Sequence, residues 1–252
     1  MSAPQIGLLS DAALQTNRTK TTCGSEIFSY LRPPHADTPP SEERPLLVLL
    51  HGYPQTSYIW RHLLRLLPPS YPLFIPDLPG YGRSTPSLTT HDKLTIGLAI
   101  LEALHTILPN NPYPSPIILI GHDRGARIAH RLALTFSHPP PSSITTKPLP
   151  PFTLAALAVL DTVPEPEQWS AFASPPAAAS SFHWPFLANA ELATAMIEAF
   201  GARRWCGMLL ERWSGDSNIE GDDADADAAA EAYCAAFEAP GVFSASTQLY
   251  NH

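Results

Sequence analysis

The residue types with the clearest chemical potential gather around Asp123. It stands in Gly121-His122-Asp123-Arg124-Gly125-Ala126-Arg127, directly after the apolar run 116–120. The segment reads as a buried strand entering a sharp turn and leaving as a helix over 127–136, with alanine and leucine on one side. Small residues at Gly121 and Gly125 let the chain turn without steric conflict. Asp123 then lies at a helix N-terminus, where the dipole and free N–H groups favour an anion. A carboxylate so presented can attack saturated carbon, and water must then cleave the ester it leaves. A strand-end aspartate that only caps a helix is the plainer alternative. Arg124 and Arg127 argue for chemistry, because cations in a first helical turn oppose the dipole and need a reason to be there.

The elements that must position Asp123 can be read from apolar patterning. Residues 46–50 form a continuous apolar run, the profile of a central parallel strand, and lead into His51-Gly52-Tyr53-Pro54. Beside a strand-to-helix turn of this type, the backbone N–H groups of Tyr53 and Arg124 would be the oxyanion donors. Two antiparallel edge strands are expected within 17–31, a Pro-containing loop over 32–44, a helix over 57–67 and a strand over 73–77. The glycine-rich turn 79–84 lacks the Lys-Ser/Thr of a phosphate loop. A helix over 94–108 precedes the Asp123 strand, and a Pro/Ser/Thr-rich insertion, 137–151, follows its helix. The next strand, 154–160, ends at Asp161. Beyond Pro164 the composition shifts to helices rich in Ala, Trp and Phe, and 222–227 reads as a solvated acidic stretch rather than a metal site. There is no internal repeat.

With these motifs in view, the chain resembles the α/β-hydrolase superfamily, and within it the fluoroacetate/haloacetate dehalogenases, over about 29–252. Gly-His-Asp-Arg-Gly-Ala-Arg carries the resemblance most specifically; related epoxide hydrolases usually have Trp after the nucleophile. The resemblance implies a mostly parallel sheet flanked by helices (core, 1–163) with a helical cap (164–252). It implies hydrolysis of a small 2-haloacid through an aspartyl ester, with Asp123 as nucleophile and no cofactor or metal. Arg124 and Arg127 would clamp the substrate carboxylate, and Asp161 would orient the catalytic histidine. His183, Trp184 and Tyr250 would donate hydrogen bonds to the departing halide, and Trp213 would line the pocket. The family's histidine follows an eighth strand, whereas this sequence stops at His252, just after the cap. The expectation is therefore a core without its last two strands and helices and without an obvious base, leaving 152–160 as an apolar sheet edge prone to pairing. Two other readings stay open. One is an epoxide hydrolase using Tyr233 and Tyr250; the other is a catalytically degenerate ligand-binding remnant.

Composition bounds the partners. The 252 residues are 44% hydrophobic and 15% charged, with formal net charge -8 and 29 prolines. That is ample for one core plus a cap, and it leaves nucleic acid an unexpected partner. The expected partners are a small anionic organic substrate and, at most, a second copy in a homodimer. Cys23, Cys206 and Cys234 are scattered without metal spacing and read as reduced thiols. Residues 1–13 lack a basic, apolar leader, and no stretch is long enough to span a membrane, so a cytoplasmic protein is expected.

Overall fold

A computed structural model describes residues 14–35, 39–109, 114–139, 150–214 and 223–239. Among these residues, six strands form one sheet in the order β1-β2-β4-β3-β5-β6. β1 (Gln15–Lys20) and β2 (Glu26–Arg32) pair antiparallel, and β2 pairs antiparallel with β4 (Leu73–Pro76). From β4 through β3 (Leu46–Leu50), β5 (Ser115–His122) and β6 (Phe152–Leu160) the sheet is parallel. β3 consists only of leucine and valine and is buried at every position, as an interior parallel strand requires.

A 3-10 turn, Ser57–Trp60, leads into α1 (Arg61–Leu66). Helix α2 (Lys93–Ile107) starts at Asp92, whose carboxylate accepts from the N–H groups of Leu94 and Thr95. Helix α3 (Arg124–Ser137) begins directly after Asp123, three residues earlier than the sequence reading placed it. The turn takes a single residue, so Arg124 falls inside the helix together with Arg127.

After β6 the described residues form six helices: α4 (Glu165–Ala171), α5 (Pro175–Ser180), α6 (His183–Ala188), α7 (Ala190–Phe200), α8 (Ala202–Trp213) and α9 (Asp223–Phe237). Their buried residues, among them Leu187, Ile197, Leu209 and Phe237, belong to the same apolar core as the sheet. Polar links also join the two layers. Lys93 pairs with Glu165 at 2.8 Å. Arg61 donates twice to Asp225, at 3.0 and 2.7 Å, and His62 approaches the same carboxylate at 3.0 Å. The Arg61 hydrogen bonds hold the Asp225 carboxyl below its ordinary value. The acidic stretch is thus not simply solvated, because Asp225 ties α9 to α1.

The apolar composition of β6 suits an interior strand, yet among the described residues it is the outer strand of the sheet. Val159 and Leu160 remain 46% and 43% exposed. Among the described residues it pairs with β5 alone. Within that same set, no helix is long and apolar enough to cross a membrane. All three cysteines are buried and unlinked.

Candidate active site

Strand register sets the site. Leu50 pairs with Gly121, and His122 pairs with Leu160, so the turn after β3, Asp123 and Asp161 emerge at one level at the carboxyl ends of the strands. Asp123 adopts φ 47°, a left-handed conformation that side-chain-bearing residues rarely hold unless their surroundings enforce it. Those surroundings are backbone. A Cβ on Gly125 would lie 2.3 Å from the Leu50 carbonyl oxygen, and one on Gly121 would lie 2.4 Å from that of Gly125. The glycines therefore serve close approach, while the unusual φ falls on the aspartate itself. The Asp123 N–H donates to the Leu160 carbonyl at 2.9 Å, fastening the turn to β6.

The carboxylate is held as firmly as its backbone. Tyr53 N–H donates to Asp123 Oδ2 at 2.9 Å, and Arg127 Nη1 stands 4.0 Å from Oδ1. The 51–54 turn has its own strut. Buried His51 accepts from Leu78 N–H through Nε2 at 2.9 Å, so Nδ1 carries the proton facing the Gly52 carbonyl at 3.0 Å. Burial lowers its pKa, consistent with a neutral ring. Asp77 secures the neighbouring loops by accepting from Ser57 and Arg83 N–H groups, both at 2.9 Å.

An open cavity lies between this end of the sheet and the later helices. Asp123, Arg127, His183, Trp184, Trp213 and Tyr233 are among the residues lining it. The Arg127 guanidinium lies 3.6 Å from the centre of the Trp184 ring, a close cation–π contact. His183 packs edge-on to Trp213, 4.7 Å between ring centres. Burial pushes its pKa down to about 4, with Asp123 opposing that shift, so the imidazole is neutral near pH 7. A neutral ring still carries one N–H donor. Tyr233 is buried, and its hydroxyl faces Arg61 Nη1 at 3.4 Å; burial raises its pKa, keeping the phenol protonated.

The structure brings most of the sequence-predicted residues together at the cavity, Arg124 being the exception among the described residues. Arg124 is only 4% exposed and does not line the cavity. It donates to the Tyr81 hydroxyl, and its guanidinium lies 5.3 Å from the centre of the Tyr53 ring. Asp161 is on the cavity wall with its side chain 84% exposed, 3.6 Å from His122 Nε2. Tyr250 lies outside the described residues. Sequence reasoning assigned no role to the side chains of His51, Asp77, Tyr81, Arg61 and Trp205. Asp77 and Tyr81 carried a weak signal in the turn after β4, whereas Trp205 carried none. Among the described residues no group of three His, Cys, Asp or Glu could hold a metal ion.

Comparison with known proteins agrees with this architecture. The profile of the alpha/beta hydrolase fold family matches residues 45–175, and the chain belongs to that family. A fluoroacetate dehalogenase of Burkholderia sp is 32% identical over 120 residues, 48% of this chain and 35% of that protein. Epoxide hydrolase 4 of Mus musculus is 38% identical over 94 residues, 37% of this chain and 25% of that protein. These matched segments span about a third or less of the curated relatives. The structure of ALR0039 from Nostoc sp PCC 7120 superposes with a TM-score of 0.71 at 26% identity, covering 95% of this chain and 72% of that one. Cfl2 of Burkholderia cenocepacia shares the fold, with a TM-score of 0.64 at 23% identity, covering 94% and 70%.

Proposed function

We propose that Asp123 displaces the halide of a small 2-haloacid, such as a haloacetate, and that residues 164–252 act as the cap over this reaction. The carrying observation is the Asp123 carboxylate itself. One oxygen is held by Tyr53 N–H, and the other faces a cavity that also presents Arg127, neutral His183 and Trp184. In the first step Asp123 Oδ1 bonds to the α-carbon as the carbon–halogen bond breaks, giving an Asp123 ester and a halide ion. Arg127 orients the substrate carboxylate, and the N–H groups of His183 and Trp184 stabilise the halide. Arg124 joins the clamp if its guanidinium turns from Tyr81. Water then adds to the ester carbonyl carbon, with Tyr53 N–H stabilising the oxyanion, and a 2-hydroxyacid and one proton leave. Removing the water's proton needs a base, and His183 is too weakly basic for it. Among the described residues, His122 beside Asp161 is the imidazole–carboxylate pair on the cavity wall.

A second reading, epoxide opening by the same nucleophile, is favoured by one observation. Tyr233 lines the cavity with a protonated hydroxyl that could donate to an epoxide oxygen. Calorimetry on the non-reacting Asp123→Asn variant separates the two. Chloroacetate should bind more tightly than neutral chloroacetamide by about 1.5–3 kcal/mol, the worth of one charge-assisted contact. Equal affinities would remove the acid from consideration.

A further inference from the structure

Tyr53 joins the two layers of the molecule at the nucleophile. Its backbone N–H holds Asp123 Oδ2 at 2.9 Å, and the turn has no slack there, since a Cβ on Gly52 would lie 2.7 Å from Asp123 Cβ. Its side chain is gripped from the other layer. Trp205 Nε1 on α8 donates to the Tyr53 hydroxyl at 2.7 Å, and Phe237 on α9 packs edge-on to the ring with centres 5.5 Å apart. Trp205 is itself locked between Phe182 and Phe186, with ring centres 6.2 and 5.1 Å away. Neither Trp205 nor Phe237 lines the cavity.

We infer that Trp205 is a positioning residue: by fixing Tyr53 it transmits the seating of α8 to the Asp123 carboxylate. The inference rests on the nucleophilic role proposed for Asp123, but its mechanical part does not depend on which substrate is attacked. A buried 2.7 Å hydrogen bond between aromatic side chains confines the Tyr53 ring, and the adjoining peptide moves with it. When α8 lifts, Tyr53 loses that restraint, and Asp123 Oδ2 loses the alignment of its donor. The nucleophile is thus in reacting geometry only when the helical layer is seated, so attack is coupled to closure over the substrate.

The test uses Trp205→Phe and Tyr53→Phe in the full chain. Both keep aromatic packing, and both delete this one hydrogen bond. Hydrogen exchange at the Tyr53 amide reports the Asp123 contact without any turnover, and it should quicken roughly tenfold in each variant. Ester formation at Asp123 with chloroacetate should slow by about 10–100-fold, the usual cost of misplacing a reacting group. In Trp205→Phe, chloroacetate affinity should stay within about twofold, because Trp205, unlike Tyr53, does not line the cavity. The double variant should be no worse than either single one, since both remove the same contact. Unchanged Tyr53 exchange in both variants would overturn the inference, whatever the activity. Quickened exchange in a protein whose native form never alkylates would uphold the positioning and refute the haloacid chemistry instead.

Discussion

The strand-to-helix turn at Asp123 and the inner face of α8 line one cavity, yet they are held by different means. At the turn, backbone meets backbone. Gly125 has a carbonyl oxygen 2.3 Å from where a Cβ would sit, and β3, β5 and the start of α3 fit with no spare volume. On α8 the same exercise at Gly207 finds only Cys234 Sγ, 3.8 Å away, an ordinary contact. The first region is fixed by main-chain geometry that few sequences satisfy. The second is fixed by side chains that can be exchanged or repacked. A nucleophile needs the first kind of support; a surface that must admit substrate and release product can use the second.

Substitutions should expose that contrast most sharply at the glycines. Gly125→Ala should cost about 3 kcal/mol or more in thermal or denaturant unfolding, because backbone rather than a flexible side chain must yield. A cost below 1 kcal/mol would mean the turn is looser than its contacts indicate.

Acid should loosen the helical layer through His183. Its folded pKa of about 4 lies below the ordinary 6.5, so the unfolded chain takes up the proton first as pH falls. The associated stability is complete above 6.5 and is lost progressively toward pH 4, by on the order of 2–3 kcal/mol. Thermal unfolding against pH should show this slope, and His183→Gln should flatten it. A slope that survives the substitution would assign the acid sensitivity elsewhere.

Arg127 tests whether the cavity side of α3 recognises charge. Arg127→Gln should weaken chloroacetate binding by about 1.5–3 kcal/mol and leave chloroacetamide unaffected. Equal losses for both would make Arg127 a packing residue against Trp184. The smallest effect should be Gly207→Ala, which has room for its methyl group and removes a flexible residue from a helix. It should stabilise the protein by about 0.5–1 kcal/mol.

The same contrast governs what could be read from the sequence. The turn was legible because its requirements are local. An apolar run, two glycines four residues apart and an aspartate between them specify a backbone path almost unaided. The start of α3 was misplaced because nothing in the sequence announces that Asp123 would take a positive φ and complete the turn in one residue. The pattern also put Asp161 at the end of β6, level with Asp123, since parallel strands of similar length finish level. It could not show Arg124 turning toward Tyr81, which depends on a hydroxyl 43 positions away. Trp205 and Tyr53 are 152 positions apart, and Arg61 and Asp225 are 164 apart. Such pairings arise from how the layers pack, and single-sequence periodicity carries no trace of them. His183, Trp184 and Trp213 were found by resemblance rather than by any pattern of their own.

The functional reading of these contrasts turns on whether Asp123 is a nucleophile. Incubating the protein with chloroacetate, quenching in acid, digesting and sequencing the peptides by mass spectrometry addresses this directly. The peptide containing Asp123 should carry one added carboxymethyl group, localised to that residue and absent from the Asp123→Asn protein. An unmodified Asp123 peptide, with neither adduct nor chloride released, would contradict the assignment.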